Sequence, residues 1–249
     1  MRSAVIGVLL ALTLAVAARA QPARSASPAP ASYKTVLIAG DYHLPVFDNA
    51  VRDVAARLRA RGAVAPGDVR ALSAAAPGAR SATVGNVLRA IAAMRPGAGQ
   101  GCFVFATSHG IQGVGLYLAA RNEALSPALL DRALVQGCGD APTVVVVSAC
   151  FSGGFAEAPM ARPNRIVLTA ARPDRASFGC GAGRTYTVYD HCLLDALDRG
   201  GTWRAAYATI QGCVAVDEQE DGFLPSEPQA WFGADVADMA LPGRDRAGR

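Results

Sequence analysis

The sequence predicts one α/β domain with a mostly parallel central sheet and helices on both of its faces. Two observations lead to this fold class. Apolar runs rich in β-branched residues, of which 143–147 (TVVVV) is the clearest, alternate with segments whose apolar residues recur at helical spacing. Strands that are apolar at every position are typical of a parallel sheet buried between two layers of helices. The alternation also suits the crossovers that join parallel strands.

Each predicted element has its own signal in the sequence. Asp48 is the expected N-terminal cap of the first helix, Arg95-Pro96-Gly97 is expected to end the second, and Pro127 fits the first turn of the third. Strands come from apolar runs, and helices from apolar residues three and four positions apart. In order, we expect strand 33–39, helix 48–61, strand 69–72, helix 81–94, a strand within 101–110, strand 115–119, helix 126–136, strand 143–150, strand 166–169, helix 188–197 and helix 203–214.

Two of these strand ends carry reactive side chains. One strand ends at Cys150, and another is followed by His109, one of only three histidines in the chain. By itself Cys150 is better explained as a small buried hydrophobic residue, and a lone His109 as a structural one. Neighbouring parallel strands, however, bring their carboxyl ends to one edge of the sheet. The paired placement therefore favours a Cys/His catalytic dyad.

These strand ends resemble a known family. T-S-H-G at 107–110 and S-A-C-F-S-G-G at 148–154 are similar to motifs of the legumain-type (asparaginyl endopeptidase, C13-like) cysteine peptidases, whose clan includes the caspases. Further similar stretches lie at 36–40, 47–50, 169–173, 177–180 and 225–229, so the resemblance spans roughly 33–239. It implies a caspase-like three-layer sandwich and an exported bacterial member of the family.

The implied activity is that of a cysteine endopeptidase without cofactor or metal. Cys150 would act as nucleophile through a thioester, and His109 would lower the pKa of the thiol and protonate the leaving amine. The backbone N–H groups of Gly110 and Cys150 are the expected oxyanion donors. Gly153 and Gly154 are expected to keep the floor beside the thiol open, or to serve only as turn residues.

The expected substrate-binding residues are Ser148, Ser177 and Asp190. Legumain-type enzymes carry an acid two positions before the cysteine, where this chain has Ser148, and an Arg-His pair after the first strand, where 41–46 contains His43 but no arginine. Ser177 matches the pocket loop of the family. Asp190 falls near its downstream pocket acid, although it suits the start of a helix equally well. These departures leave the residue preference at the cleavage site open.

The two ends of the chain are expected to lie outside the domain at 33–241. Residues 1–20 have the layout of a signal peptide with an A-x-A cleavage site, the alternative being an uncleaved anchor. Residues 21–32 are predicted to be a disordered lead-in, and 242–249 a flexible tail. We therefore expect an exported protein, periplasmic or extracellular, with no membrane span after signal cleavage.

The six cysteines suit an exported chain. With Cys150 reserved for catalysis, one assignment among those the sequence allows pairs Cys102 with Cys138 and Cys192 with Cys213, and leaves Cys180 free. No metal-ligand spacing occurs, and His43 and His191 are expected to be surface or structural residues.

Composition narrows the partners and leaves alternative functions open. The formal net charge is +4, and the arginines are scattered without a basic run, so nucleic acid is not expected as a partner. A peptide or protein substrate is the expected partner, and the oligomeric state is undetermined. Two alternatives to the endopeptidase are a transpeptidase or ligase that uses the same dyad, and a catalytically silent envelope binding protein with the same fold.

Overall fold

A computed structural model describes residues 29–181 and 183–243. The predicted signal peptide, most of the lead-in and the last six residues of the predicted tail lie outside the described residues. Ser32, the last residue of the predicted lead-in, already belongs to the first strand. None of the described helices is both long enough and apolar enough to cross a lipid bilayer.

The described residues form nine strands in two sheets. In chain order these are β1 (Ser32–Ala39), β2 (Val69–Ser73), β3 (Gln100–Thr107), β4 (Gly110–Ile111), β5 (Gly115–Leu118), β6 (Glu123–Leu125), β7 (Thr143–Ser148), β8 (Arg165–Thr169) and β9 (Gln229–Phe232). The main sheet has the order β2-β1-β3-β7-β8-β9, in which β9 alone is antiparallel to its neighbour. Strands β4, β5 and β6 form a small antiparallel sheet that follows β3. The predicted mostly parallel sheet is therefore confirmed.

Five helices cover the two faces of the main sheet. They are α1 (Val46–Ala60), α2 (Val84–Ala92), α3 (Pro127–Cys138), α4 (Val188–Arg199) and α5 (Trp203–Glu220). Alternate residues of β1, β3, β7 and β8 enter one of two apolar clusters, so that Phe105 and Val146 pack with α1, α4 and α5, whereas Val104 and Val145 pack with α2 and α3. Burial of both faces explains why the strands are apolar at every position, and it confirms the three-layer arrangement.

Most helix starts follow the expected chemistry. Thr83, Ser126, Thr187 and Thr202 each accept a hydrogen bond from a backbone N–H of the first turn. The cap predicted at Asp48 is wrong, because α1 begins two residues earlier, after Pro45, and Asp48 lies in its first turn. A carboxylate there still interacts favourably with the positive end of the helix dipole.

The cysteine assignment is confirmed. One disulfide joins Cys102 at the start of β3 to Cys138 at the end of α3, and a second joins Cys192 of α4 to Cys213 of α5. Cys150 and Cys180 are free thiols.

Packing between α2 and α3 depends on Gly137. A Cβ atom at this position would lie 1.9 Å from the carbonyl oxygen of Ile91, whereas one at Gly212 of α5 would meet no atom within 4 Å. We expect Gly137→Ala to lower the free energy of unfolding by about 1–3 kcal/mol, because the two helices must move apart. Gly212→Ala, the matched control, should raise it by about 0.5–1 kcal/mol through helix propensity. Urea unfolding followed by circular dichroism measures both, and equal effects would contradict the close-contact explanation.

Candidate active site

His109 lies just beyond the end of β3. The pairing of β3 with β7 continues past the strands, because the N–H of Ser108 donates to the carbonyl oxygen of Ser148 over 3.1 Å. The half-buried His109 ring meets the ring of Phe47 from α1 edge-on, with 5.3 Å between the ring centroids. The imidazole is thus held at the carboxyl edge of the sheet between β3 and α1.

Cys150 lies two residues beyond the end of β7, at a sharp turn. Phe151 has a left-handed backbone with φ of 56°, which is strained for a bulky residue. Its N–H donates to the carbonyl oxygen of Arg175 over 2.7 Å and so ties the turn to the loop after β8. The Cys150 sulfur lies 3.3 Å from both the amide nitrogen and the carbonyl oxygen of Ser177. The half-buried thiol therefore faces this loop.

The backbone just after His109 packs directly against the backbone of Cys150. An ideal Cβ atom on Gly110 would lie only 1.8 Å from the carbonyl oxygen of Cys150, so that only glycine fits there. No hydrogen bond joins the His109 ring to the Cys150 sulfur among residues 29–181 and 183–243, and the thiol contacts Ser177 instead. Catalytic hydrogen bonds are often long or absent before substrate binds.

Two backbone N–H groups near Cys150 bear on the predicted oxyanion site. The N–H of Tyr117 donates to the carbonyl oxygen of His109 over 2.9 Å, which makes Gly110 and Leu116 a non-hydrogen-bonded pair of the β4–β5 ladder. The N–H of Gly110 therefore points away from β5. The N–H of Cys150 donates to no acceptor in the described part of the chain. Both remain the predicted oxyanion donors.

A buried carboxylate lies beneath the two strand ends. Asp190, in the first turn of α4, has no exposed surface, and its Oδ2 accepts a 2.7 Å hydrogen bond from the hydroxyl of Thr107. Beside it, the hydroxyl oxygens of Ser148 and Thr187 lie 3.4 Å from each other. Thr107 and Ser148 each precede the reactive residue of their strand by two positions. Asp190 therefore supports both strand ends from below.

The charge state of Asp190 is set by its burial. Burial raises the pKa of this carboxyl from its ordinary value of 3.8 to about 6, and hydrogen bonds from the hydroxyls of Thr107, Ser148 and Thr187 oppose the increase. Oδ1 finds no partner within the described residues. Ser148 is also buried, so the side chains of Ser148 and Asp190, both predicted to bind substrate, do not reach the surface. Ser177, the third predicted residue, is half-buried next to the thiol.

The other two histidines each pair with a carboxylate. His43 is exposed and pairs over 2.9 Å with the buried carboxylate of Asp41, which follows β1, and His191 pairs over 3.1 Å with Asp217.

A Cβ atom on Gly153 would lie 2.4 Å from the Pro173 side chain, whereas Gly154 has open space around it. The expected open floor is therefore wrong for Gly153, which is packed against the loop after β8.

The described residues contain one group of possible metal ligands, at the junction of α4 and α5. His191, Cys192, Cys213 and Asp217 bring their ligand atoms within 4.8 Å of one another. The two sulfurs are bonded to each other, however, and a disulfide offers no thiolate to a metal ion. With the disulfide intact, only the imidazole and the carboxylate remain as donors.

Sequence reasoning missed several residues around the site. Asp41, Thr107 and Thr187 are all buried polar residues near the strand ends. Asp41 lies two residues beyond the end of β1, as His109 does beyond β3, so the strand-end rule that singled out His109 could have found it. Thr187 is the cap of α4 and carries no signal for its contact with β7, because that contact spans 39 positions of the chain.

Fold and site together define a caspase-like α/β protein with a thiol at a strand end. Caspase-1 from Spodoptera frugiperda has a similar structure, with a TM-score of 0.62 and 13% identity over 93% of this chain and 99% of that chain. The family model described as the Peptidase C13 family matches residues 86–234. The chain therefore belongs to the Peptidase C13 family, and it is a cysteine peptidase. A search among curated proteins found no match.

These comparisons confirm the resemblance to legumain-type peptidases and the caspase-like three-layer fold. The matched residues include every predicted site residue from His109 to Asp190. At 13% identity, the likeness to the insect caspase shows the fold alone.

Asp190 should make stability depend on pH. The folded protein keeps this carboxyl protonated up to a pKa of about 6, whereas an unfolded chain releases the proton near 3.8. Between these values the folded state binds more protons, so stability falls as pH rises and the loss is complete above about pH 6. We expect this contribution to reach about 3 kcal/mol, and to be absent in Asp190→Asn. Urea unfolding of both proteins at about pH 4 and pH 7 measures it, and identical pH profiles would contradict it.

Proposed function

We propose that this cysteine peptidase is an endopeptidase that hydrolyses peptide bonds through a thioester on Cys150, with His109 as proton donor and acceptor. The close approach of Gly110 to Cys150 is the observation that carries the proposal. Acyl transfer to a thiol requires a thiol and a base that meet at one site with amide donors beside them, and the two strand ends bring His109, Gly110 and Cys150 together.

The reaction follows from the groups present. His109 accepts the proton of the Cys150 thiol, and the thiolate attacks the carbonyl carbon of the scissile bond. The N–H groups of Gly110 and Cys150 hold the oxyanion while the C–N bond breaks and the imidazolium gives its proton to the leaving amine. Water then attacks the thioester while His109 takes a proton from it, the C–S bond breaks to release the acid, and the imidazolium returns its proton to the Cys150 sulfur.

The proposed substrate-binding residues divide into two kinds. Ser177 meets the peptide directly, because its N–H and carbonyl oxygen lie against the nucleophile. Ser148 and Asp190 act from beneath the floor, where they hold the strand ends in register through Thr107 and Thr187. Substrates are peptides or proteins, as membership of a peptidase family implies.

Export of the protein remains part of the proposal. It rests on the signal-like sequence at 1–20, which lies outside the described residues. The two disulfides support it, because such bonds persist in oxidising compartments such as the periplasm.

Substitution of the two reactive residues tests the mechanism. We expect Cys150→Ala and His109→Ala to lower kcat/KM for a cleaved peptide by about 10⁴-fold or more, since each removes a group that acts in every step. The matched controls are Cys180→Ala, the other free thiol, and His191→Ala, a histidine on α4. Both controls should retain activity, and circular dichroism should show that all four variants fold.

Full activity of Cys150→Ala would contradict the proposal. Two further measurements identify the alternatives. Ligation products that appear when an amine nucleophile is added would indicate a transpeptidase. If Cys150 reacts no faster with iodoacetamide than Cys180 near neutral pH, and no peptide is cleaved, the protein is a silent binding protein.

A further inference from the structure

A groove with a volume of about 420 Å³ lies along the loop that contacts the proposed nucleophile. One wall is the loop after β8, whose residue Ser177 contacts the Cys150 sulfur. The other wall is the segment between α5 and β9. The lining residues are Asp174, Arg175, Ala176, Phe178, Leu224 and Pro225.

Direct contacts hold the two walls together. The N–H of Arg172 donates to the carbonyl oxygen of Ser226 over 3.0 Å, and the guanidinium of Arg175 donates to the carbonyl oxygen of Pro225 over 2.8 Å. Phe178 stacks on Phe223 with 4.4 Å between the ring centroids and 7° between the ring planes. The groove therefore exists before a ligand arrives, which reduces the entropy lost on binding.

The charges at the groove are already paired. Arg172 contacts Asp174 over 2.9 Å and Glu227 over 3.1 Å, and Arg175 contacts Glu227 over 3.2 Å. Two guanidinium groups thus face two carboxylates, and no net charge remains to select a charged side chain.

The remaining lining is apolar and open to solvent. Leu224 is 79% exposed, and with Pro225 and the stacked rings of Phe178 and Phe223 it forms one apolar cluster. A single exposed leucine needs no explanation, but a concave apolar cluster beside a nucleophile marks a binding site.

The sheet order indicates which part of a substrate meets this groove. β7, which leads to Cys150, lies between β3 and β8 in the main sheet. His109 comes from the β3 side, and under the proposed mechanism it protonates the leaving amine. The leaving part of the substrate therefore lies towards β3, and the acyl part lies over the loop after β8, towards the groove.

The main chain of that loop can hold an extended peptide. The N–H and carbonyl groups of Ser177 face the thiol and can pair with a peptide main chain. Ala176 and Phe178, on either side of Ser177, both line the groove. Because an extended chain advances about 3.3 Å per residue, the side chains that reach the groove belong to residues shortly before the scissile bond.

We propose that this groove binds a large apolar side chain of the substrate, of the Leu, Met or Phe class, two to four residues before the scissile bond. This inference rests on the proposed endopeptidase function and adds a specificity site to it. Burial of the Leu224 surface against the incoming side chain supplies the affinity.

Matched peptides test the inference. In a cleaved fluorogenic peptide, each of the second to fourth positions before the bond is set in turn to Leu, Ser, Asp or Lys, and kcat/KM is measured with the full chain. We expect Leu to exceed each of the other three by about 10-fold or more at one of these positions.

Two variants locate the effect. Leu224→Ser should lower kcat/KM for the Leu peptide far more than for the Ser peptide, and so remove most of the preference for Leu. Val135→Ser is the matched control, because Val135 is an exposed apolar residue of α3, 45% exposed, on the opposite face of the sheet. It should leave the preference intact. Both positions are exposed, so both variants are expected to fold.

The outcomes separate this inference from the function on which it rests. If the full chain cleaves none of the peptides, the endopeptidase proposal fails and the inference fails with it. If cleavage requires Cys150 but shows no preference for Leu, or if Leu224→Ser and Val135→Ser behave alike, the groove inference alone is overturned.

Discussion

The register between β3 and β7 is the constraint on which the site depends. Parallel pairing sets Thr107 opposite Ser148, and the N–H of Ser108 extends the ladder by one more bond before the chains leave the sheet. Side chains alternate between the two faces of a strand, so a shift of one residue would turn the Thr107 hydroxyl away from Asp190. Because both faces of these strands are packed against helices, such a shift would also move each apolar side chain into the packing of the opposite layer, where it does not fit.

The loop after β8 connects the turn that carries Cys150 to the groove. The left-handed backbone at Phe151 is retained because its N–H is bound to the carbonyl oxygen of Arg175, in the loop that forms one wall of the groove. The same loop contacts the sulfur of Cys150 through Ser177. Glycine at 153 lets the turn pack against Pro173. Displacement of this loop would therefore move the thiol as well as the specificity surface.

The parts of the fold that follow from local sequence could be predicted, and those that depend on distant packing could not. Apolar runs identify β3 and β7, and with them His109 and Cys150, because burial on both faces leaves a continuous signal. The position of Asp190 under Thr107 is different, since the two residues are 83 positions apart and meet only through the placement of α4. Strand β9 has four residues at the edge of the sheet, too few for a clear pattern. The groove combines two loops, which carry no periodicity.

The disulfide between Cys102 and Cys138 closes a covalent ring of residues that includes His109. This ring also contains the whole small sheet and Gly110, which packs against the carbonyl group of Cys150. A single cut in the turn between β4 and β5 would therefore open the ring without releasing a fragment. Both halves of the fold would stay attached through sulfur, and the imidazole would stay joined to the strand that bears it.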